Sequence, residues 1–232
     1  MIGVLAAAAG AAALFAATAG GAPVGTADKA AIEKVVRDYI LANPEILPQA
    51  MEVLQARESS KAVAANRPQI ETPFKGAWEG AADADVTLVQ FFDYACGYCR
   101  QSLPVVERLV REDPKLKVVF REMPVLGPDS EAAAKISLKI AGTGQARYAQ
   151  AYRALYAGGR PDAAARARVA ARFGIAGDAI DAAVEQELVN NQQLQNLLRI
   201  TGTPTWVVGD EVLGGAVGYD ALKAAIAKAR AD

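Results

Sequence analysis

The chain of 232 residues contains two cysteines, Cys96 and Cys99, and no histidine. Without histidine there is no imidazole acid–base catalysis, no Ser-His-Asp triad and no His-containing metal site. Chemistry falls to carboxylates, amines, hydroxyls and the two thiols. Two cysteines are too few for a four-ligand structural zinc site or a disulfide framework. Their Cys-Gly-Tyr-Cys spacing does allow a small disulfide ring that opens and closes by exchange. At the start of a helix, Cys96 would face unpaired backbone N–H groups and the positive end of the helix dipole, which favour a thiolate. Cys99, one turn further in, is then the less exposed, resolving thiol: the Cys96 thiolate attacks a partner disulfide, and Cys99 releases the mixed disulfide. Arg100 adds positive charge nearby. Gly97 and Tyr98 bring none, so thiolate stabilisation rests mainly on backbone donors. Two other readings of the pair stand beside this one. It is an inert structural disulfide or two packed thiols, or it holds Cu(I), a soft ion suited to two sulfurs. Met51 and Met123 are not adjacent to it, so the sequence places no further soft ligand there.

The flanking elements decide how the pair is presented. Val86-Thr87-Leu88-Val89-Gln90-Phe91-Phe92 reads as a central strand buried on both faces, with the cysteines at its carboxyl end. Residues 98–112 have helical spacing, with Leu103, Val106, Leu109 and Val110 apolar, and Leu116 to Met123 is the next strand. A unit of this size predicts a right-handed parallel crossover. A helical block covers about 129–198, with a helix over 131–141 capped by Asp129-Ser130 and further helices near 145–157, 161–173 and 178–198. Thr205–Val208, the turn Gly209-Asp210 and Glu211–Leu213 read as a hairpin, and a final helix starts near Tyr219. Tyr94, Trp206 and Tyr219 are read as packing residues rather than as the wall of a groove.

Upstream, residues 2–19 carry no charge and end in small residues, which reads as a secretory signal over residues 1–19; an uncleaved anchor is the alternative. A signal would place the cysteines in an oxidising compartment. Residues 28–58 form two amphipathic helices broken at Asn43-Pro44. The stripe Ile32, Val35, Val36, Tyr39 and Ile40 needs a partner surface, so self-association is expected of this extension. Residues 59–83 lack clear periodicity and are read as a linker, followed by one α/β domain over 84–232. With 25 Lys and Arg against 26 Asp and Glu, the net charge of -1 argues against nucleic acid as a partner.

The segment Phe91-Phe92-Asp93-Tyr94-Ala95-Cys96-Gly97-Tyr98-Cys99 resembles the active site of the DsbA-like thioredoxin-fold thiol–disulfide oxidoreductases. Gly202-Thr203-Pro204-Thr205 resembles that family's cis-proline loop, and Pro104 its helix-kinking proline. The resemblance implies an α/β thioredoxin fold with an inserted helical block, preceded by a helical extension. It makes Cys96 the nucleophile, Cys99 the resolving cysteine, Thr203 and Pro204 the substrate-contacting loop, and Gly97 and Tyr98 the pair that tunes the site. The stretch from Val36 to Glu45 looks like the extension of ScsC-type periplasmic proteins (suppressor of copper sensitivity), in which it can drive oligomerisation. No cofactor is implied. The expected partners are proteins with cysteines or disulfides and a membrane redox partner. Two positions depart from the family pattern. Gly97-Tyr98 replaces the His common between the cysteines of strong oxidants. Gln90 stands where some relatives carry a buried acid that assists Cys99, and Asp93 is the nearest carboxylate in sequence. The expected function is an exported disulfide isomerase or reductase; a dithiol oxidase and a Cu(I)-binding protein are the alternatives.

Overall fold

The computed structural model describes residues 26–176 and 181–231. The signal reading of residues 1–19 and the start of the helix predicted from 178 lie outside them. The chain divides into two compact units, Met1–Ala50 and Met51–Asp232. In the first unit, α1 (Thr26–Ala42) ends at Asn43, whose backbone N–H and side-chain amide both donate to the Tyr39 carbonyl at 2.9 Å. Pro44 cannot continue the helix, and the chain restarts in α2 (Ile46–Glu71). Of the expected stripe on α1, Ile32, Val35, Val36 and Tyr39 are each more than half exposed, and Ile40 is half-buried.

In the second unit a five-stranded sheet has the order β1 (Trp78–Gly80), β3 (Leu116–Glu122), β2 (Val86–Phe92), β4 (Thr205–Val208), β5 (Glu211–Gly214). β2 and β3 are parallel, in register from Val86 opposite Leu116 to Phe92 opposite Glu122. Their connection is α3 (Gly97–Glu112), as expected for strand–helix–strand. β4 lies antiparallel to β2 and to β5, and β1 antiparallel to β3. The helical block comprises α4 (Pro128–Ala141), α5 (Gln145–Ala157), α6 (Ala163–Phe173) and α7 (Ala182–Leu197), and α8 (Gly218–Ala231) closes the chain. Two apolar layers sandwich the sheet. One joins Leu88, Phe92, Val118 and Phe120 to side chains of α3, α4, α5 and α8. The other joins Val89, Phe91, Val119 and Val207 to Val63 and Ile70 of α2 and Leu194 of α7.

The expected linker over 59–83 is corrected. Residues 59–71 complete α2, and Trp78–Gly80 is strand β1. The run SSKAVAANRPQIE shows little period because Val63 and Ile70 are the only residues it buries in the sheet-facing layer. Its end carries Pro68, a poor helix residue. What holds that end is remote in sequence. The buried Arg121 guanidinium of β3 donates to the carbonyls of Gln69, Ile70 and Thr72 at 2.5–3.4 Å. These are helix-terminal acceptors that have no partner within the helix. Arg121 also pairs with Glu187 and bonds Asn191 of α7, so one side chain ties β3 to two helices. At the end of β1, Gly80 takes φ +95°, and a Cβ there would stand 2.2 Å from the Leu116 carbonyl oxygen. Only glycine fits.

Candidate active site

The buried run of β2 delivers the chain to Asp93, which seats the loop before α3. Asp93 is 2% exposed. One carboxylate oxygen accepts from the Ala95 N–H at 2.7 Å, the other from the N–H groups of Val125 and Leu126 at 2.9 Å each. Its carbonyl accepts from the Cys96 N–H at 3.1 Å and from the Tyr156 hydroxyl at 3.2 Å. The carboxylate that sequence order places nearest to Cys99 is thus occupied by amides of two loops and organises the backbone. Gln90, in the position of the family's buried acid, accepts from Tyr152 at 2.9 Å, and its amide nitrogen has no partner among the described residues.

Cys96 is the N-cap of α3, with extended backbone at φ -78°, ψ 118°. Its sulfur accepts from the Cys99 N–H at 3.4 Å, the bond a cap side chain makes. The Cys96 thiol in turn donates to the Thr203 carbonyl oxygen at 3.3 Å. That contact places the loop of Thr203 and Pro204 against Cys96, and the Thr203–Pro204 peptide is cis. Neither cysteine is in a disulfide. Cys96 is 7% exposed and Cys99 fully buried, and burial pushes the Cys99 thiol well above its ordinary value. Tyr98 is 65% exposed and Gly97 is exposed, with open space where its Cβ would stand. The approach to Cys96 is therefore not blocked by the residues between the cysteines. Pro104 lies within α3. A groove of about 520 Å³ opens behind the Thr203 loop, lined among others by Ser59, Ser60, Ile200, Thr201 and Leu213.

The floor of the site is aromatic, and sequence reasoning overlooked it. Tyr148, Tyr152 and Tyr156 repeat every four residues along α5, all buried, and pack edge-on or tilted around Phe92, Phe120 and Tyr94 at centroid distances of 4.5–6.3 Å. Each hydroxyl finds a different acceptor: Glu122, Gln90 and the Asp93 carbonyl. The i, i+4, i+8 spacing was legible in QARYAQAYRALYA; the acceptors were not. Tyr94 and Trp206 are buried, and Trp206 donates to the Gly215 carbonyl at 2.9 Å. Tyr219 stacks under Arg108, 3.6 Å from its guanidinium, and donates to Glu112. Tyr94 and Trp206 pack in the core as expected, whereas Tyr219 is half-buried and also lines a cavity with Leu109, Glu112 and Lys223.

Residues 87–227 match the family model of the DSBA-like thioredoxin domain, and residues 28–60 that of the copper resistance protein ScsC N-terminal domain. None of the curated proteins compared with the chain matches it. Among solved structures, a linker-deletion mutant of ScsC from Proteus mirabilis is 27% identical with a TM-score of 0.75, over 91% of this chain and 99% of that one. A thioredoxin-like oxidoreductase from Silicibacter pomeroyi is 31% identical with a TM-score of 0.66, over 72% of this chain and 99% of that one. A periplasmic thioredoxin-like protein from Salmonella enterica is 26% identical with a TM-score of 0.66, over 72% and 96%. With its two cysteines together at the head of α3, beside a cis-proline loop, the chain belongs to the DsbA-like thioredoxin family and has the fold of its thiol–disulfide oxidoreductases.

Proposed function

We propose that the protein is an exported thiol–disulfide oxidoreductase that reduces or isomerises disulfides in other proteins. One observation carries this reading: Cys96, 7% exposed, caps the N-terminus of a helix beside the Thr203 carbonyl, while Cys99 three residues on is fully buried. In the reducing direction the Cys96 thiolate attacks one sulfur of a substrate disulfide and expels the other as a thiolate, which takes up a proton. The Cys99 thiol then loses its proton and attacks Cys96 Sγ, releasing the second substrate sulfur as a thiol. Two electrons pass to the substrate and a Cys96–Cys99 disulfide remains. An extended substrate segment would run along the Thr203 backbone by strand-like pairing.

The isomerase reading is supported by the open apolar stripe of α1, which fits self-association through residues 28–58 and several sites in one assembly. Export to the periplasm is supported by the apolar first 19 residues and by the periplasmic Salmonella relative. No helix among the described residues is long and apolar enough to cross a membrane, and a membrane partner would recharge the pair. The test is a glutathione redox titration read by alkylation of Cys96 and Cys99. A two-electron transition is expected, nearer thioredoxin (about -270 mV) than the strong oxidants (about -120 mV). A poise at the oxidant end assigns a dithiol oxidase, and no transition refutes the redox reading. Val36→Glu with Tyr39→Glu should dissociate the assembly and abolish isomerisation while sparing dithiol oxidation; full isomerisation by the dissociated protein refutes the oligomer argument.

A second reading, Cu(I) held by the two sulfurs, is favoured by the match of residues 28–60 to a domain of a copper resistance protein. Cu(I) titration of the reduced protein against a free dithiol tests it, and binding no tighter than the dithiol excludes it.

A further inference from the structure

Glu122 ends β3, and strand alternation turns its side chain to the sheet face opposite Arg121. It is 1% exposed. Its Oε1 accepts from the Ser137 hydroxyl of α4 at 3.0 Å and from the Tyr148 hydroxyl of α5 at 2.9 Å. Its Oε2 is buried with no hydrogen-bond partner among the described residues. The Ser137 oxygen lies 2.6 Å from the Tyr94 hydroxyl. When Glu122 is ionised, the Ser137 proton is committed to it and Tyr94 is then the donor of that pair. A directed chain of hydroxyls therefore runs from Tyr94, two residues before Cys96, through Ser137 to the carboxyl.

Beyond those two hydroxyls, a charge on Glu122 is favoured by its own backbone amide and by the Arg121 guanidinium, while Glu131 and Glu185, both paired with Lys135, line a cavity with it. Asn191 of α7 bonds its backbone carbonyl at 3.1 Å, not its side chain. Glu187 of α7 repels it and is itself paired with Arg121. Tyr152 is committed to Gln90. A buried carboxylate with both donors on one oxygen is poorly compensated, and burial pushes Glu122 up to about 7. The group thus changes charge in the neutral range, and the hydroxyl dipoles of Ser137, Tyr148 and Tyr94 are among those that must answer.

We propose that Glu122 is a positioning residue for the cysteine pair: through Ser137 and Tyr94, its protonation sets how the loop carrying Cys96 is seated, and so biases dithiol against disulfide. The inference rests on the redox reading above. It involves no bond to Glu122; a proton enters or leaves the carboxyl, and the exchange at sulfur is unchanged. Linkage is reciprocal: a half-unit change in the Glu122 pKa between the two redox states appears as about a threefold change in the dithiol–disulfide equilibrium constant across its titration.

The experiment equilibrates full-length wild type and Glu122→Gln with glutathione at pH 6, 7 and 8. Glutamine keeps an oxygen for Ser137 and Tyr148 and cannot titrate. The ratio of wild-type to variant equilibrium constants is expected to change about threefold over this range. Tyr94→Phe and Ser137→Ala, which leave the carboxyl and cut the chain, should reduce the wild-type pH dependence in the same way. A ratio that stays constant with pH overturns the proposal. If Glu122→Gln does not fold, the same reading of Ser137→Ala decides, and a profile parallel to wild type overturns it. Failure of the redox reading is separate: the wild type then shows no transition at all.

Discussion

Replacing Asp93 by alanine removes the acceptor of three backbone N–H groups, at Ala95, Val125 and Leu126, at 2.7–2.9 Å. A buried amide left without an acceptor costs about 1–3 kcal/mol, and bonds to a charged acceptor lie toward the upper part of that range. Ala95 is half-buried, and the side chains of Val125 and Leu126 are nearly half exposed, so water reaches part of the vacated space and lowers each cost. The sum is then about 3–5 kcal/mol. For a domain of this size each kcal/mol lowers Tm by about 2–4 °C, so a fall of roughly 6–20 °C is expected. Asp93→Asn is the milder perturbation. It keeps the shape but turns an NH2 donor toward an amide donor, losing at least one bond at about 1–3 kcal/mol. Thermal unfolding gives the stability, and alkylation of the native dithiol gives the seating of the loop. Cys99, fully buried in the wild type, should become alkylated faster in both variants because the loop above it opens more often. If Asp93→Ala melts within about 2 °C of wild type with Cys99 equally protected, the loop is seated by other contacts and the reasoning fails.

Three further outcomes are expected. Glu122 is held near 7 in the fold against an ordinary 4.5, so its neutral form adds stability fully present below pH 4.5 and lost as pH rises through about 7; urea unfolding should show wild type losing about 3 kcal/mol relative to Glu122→Gln over that window, and parallel pH profiles would contradict the burial argument. Arg121→Met leaves Glu187 buried without its partner and the carbonyls at the end of α2 unpaired, at a cost of about 3–5 kcal/mol by urea unfolding; adding Glu187→Leu should recover only part of it, since the carbonyls stay orphaned. Gly97→Ala, in the first turn of α3 with open space at its Cβ, should stabilise by up to about 1 kcal/mol in thermal unfolding, and a loss of stability would show that this glycine is required by packing.

Much of the fold was legible in local sequence. The unbroken apolar run of β2, the period of α3 and the Gly-Asp turn between β4 and β5 each carry a pattern that depends on few residues, and the structure places those elements within a residue or two. The second half of α2 was not legible, because its two buried side chains answer to the sheet and its carboxyl end to Arg121, 51 residues from Ile70. The site divides in the same way. Chain order alone was enough to single out Cys96 and Cys99 and, by resemblance, the Thr203–Pro204 loop. Nothing local could assign Asp93 to the amides of Val125 and Leu126, or the hydroxyls of α5 to Glu122, Gln90 and Asp93.

The sequence by itself determined which atoms can do chemistry: two thiols three residues apart, no imidazole, and a strand leading to a helix that presents them. Only the tertiary structure decided that one sulfur meets the Thr203 carbonyl while the other is sealed from water, and that a carboxyl on the neighbouring strand has lost its solvation. Residue type and spacing set local conformation and intrinsic reactivity. Burial and hydrogen-bond partners, which arise from contacts between distant segments, set which form of each group is stable.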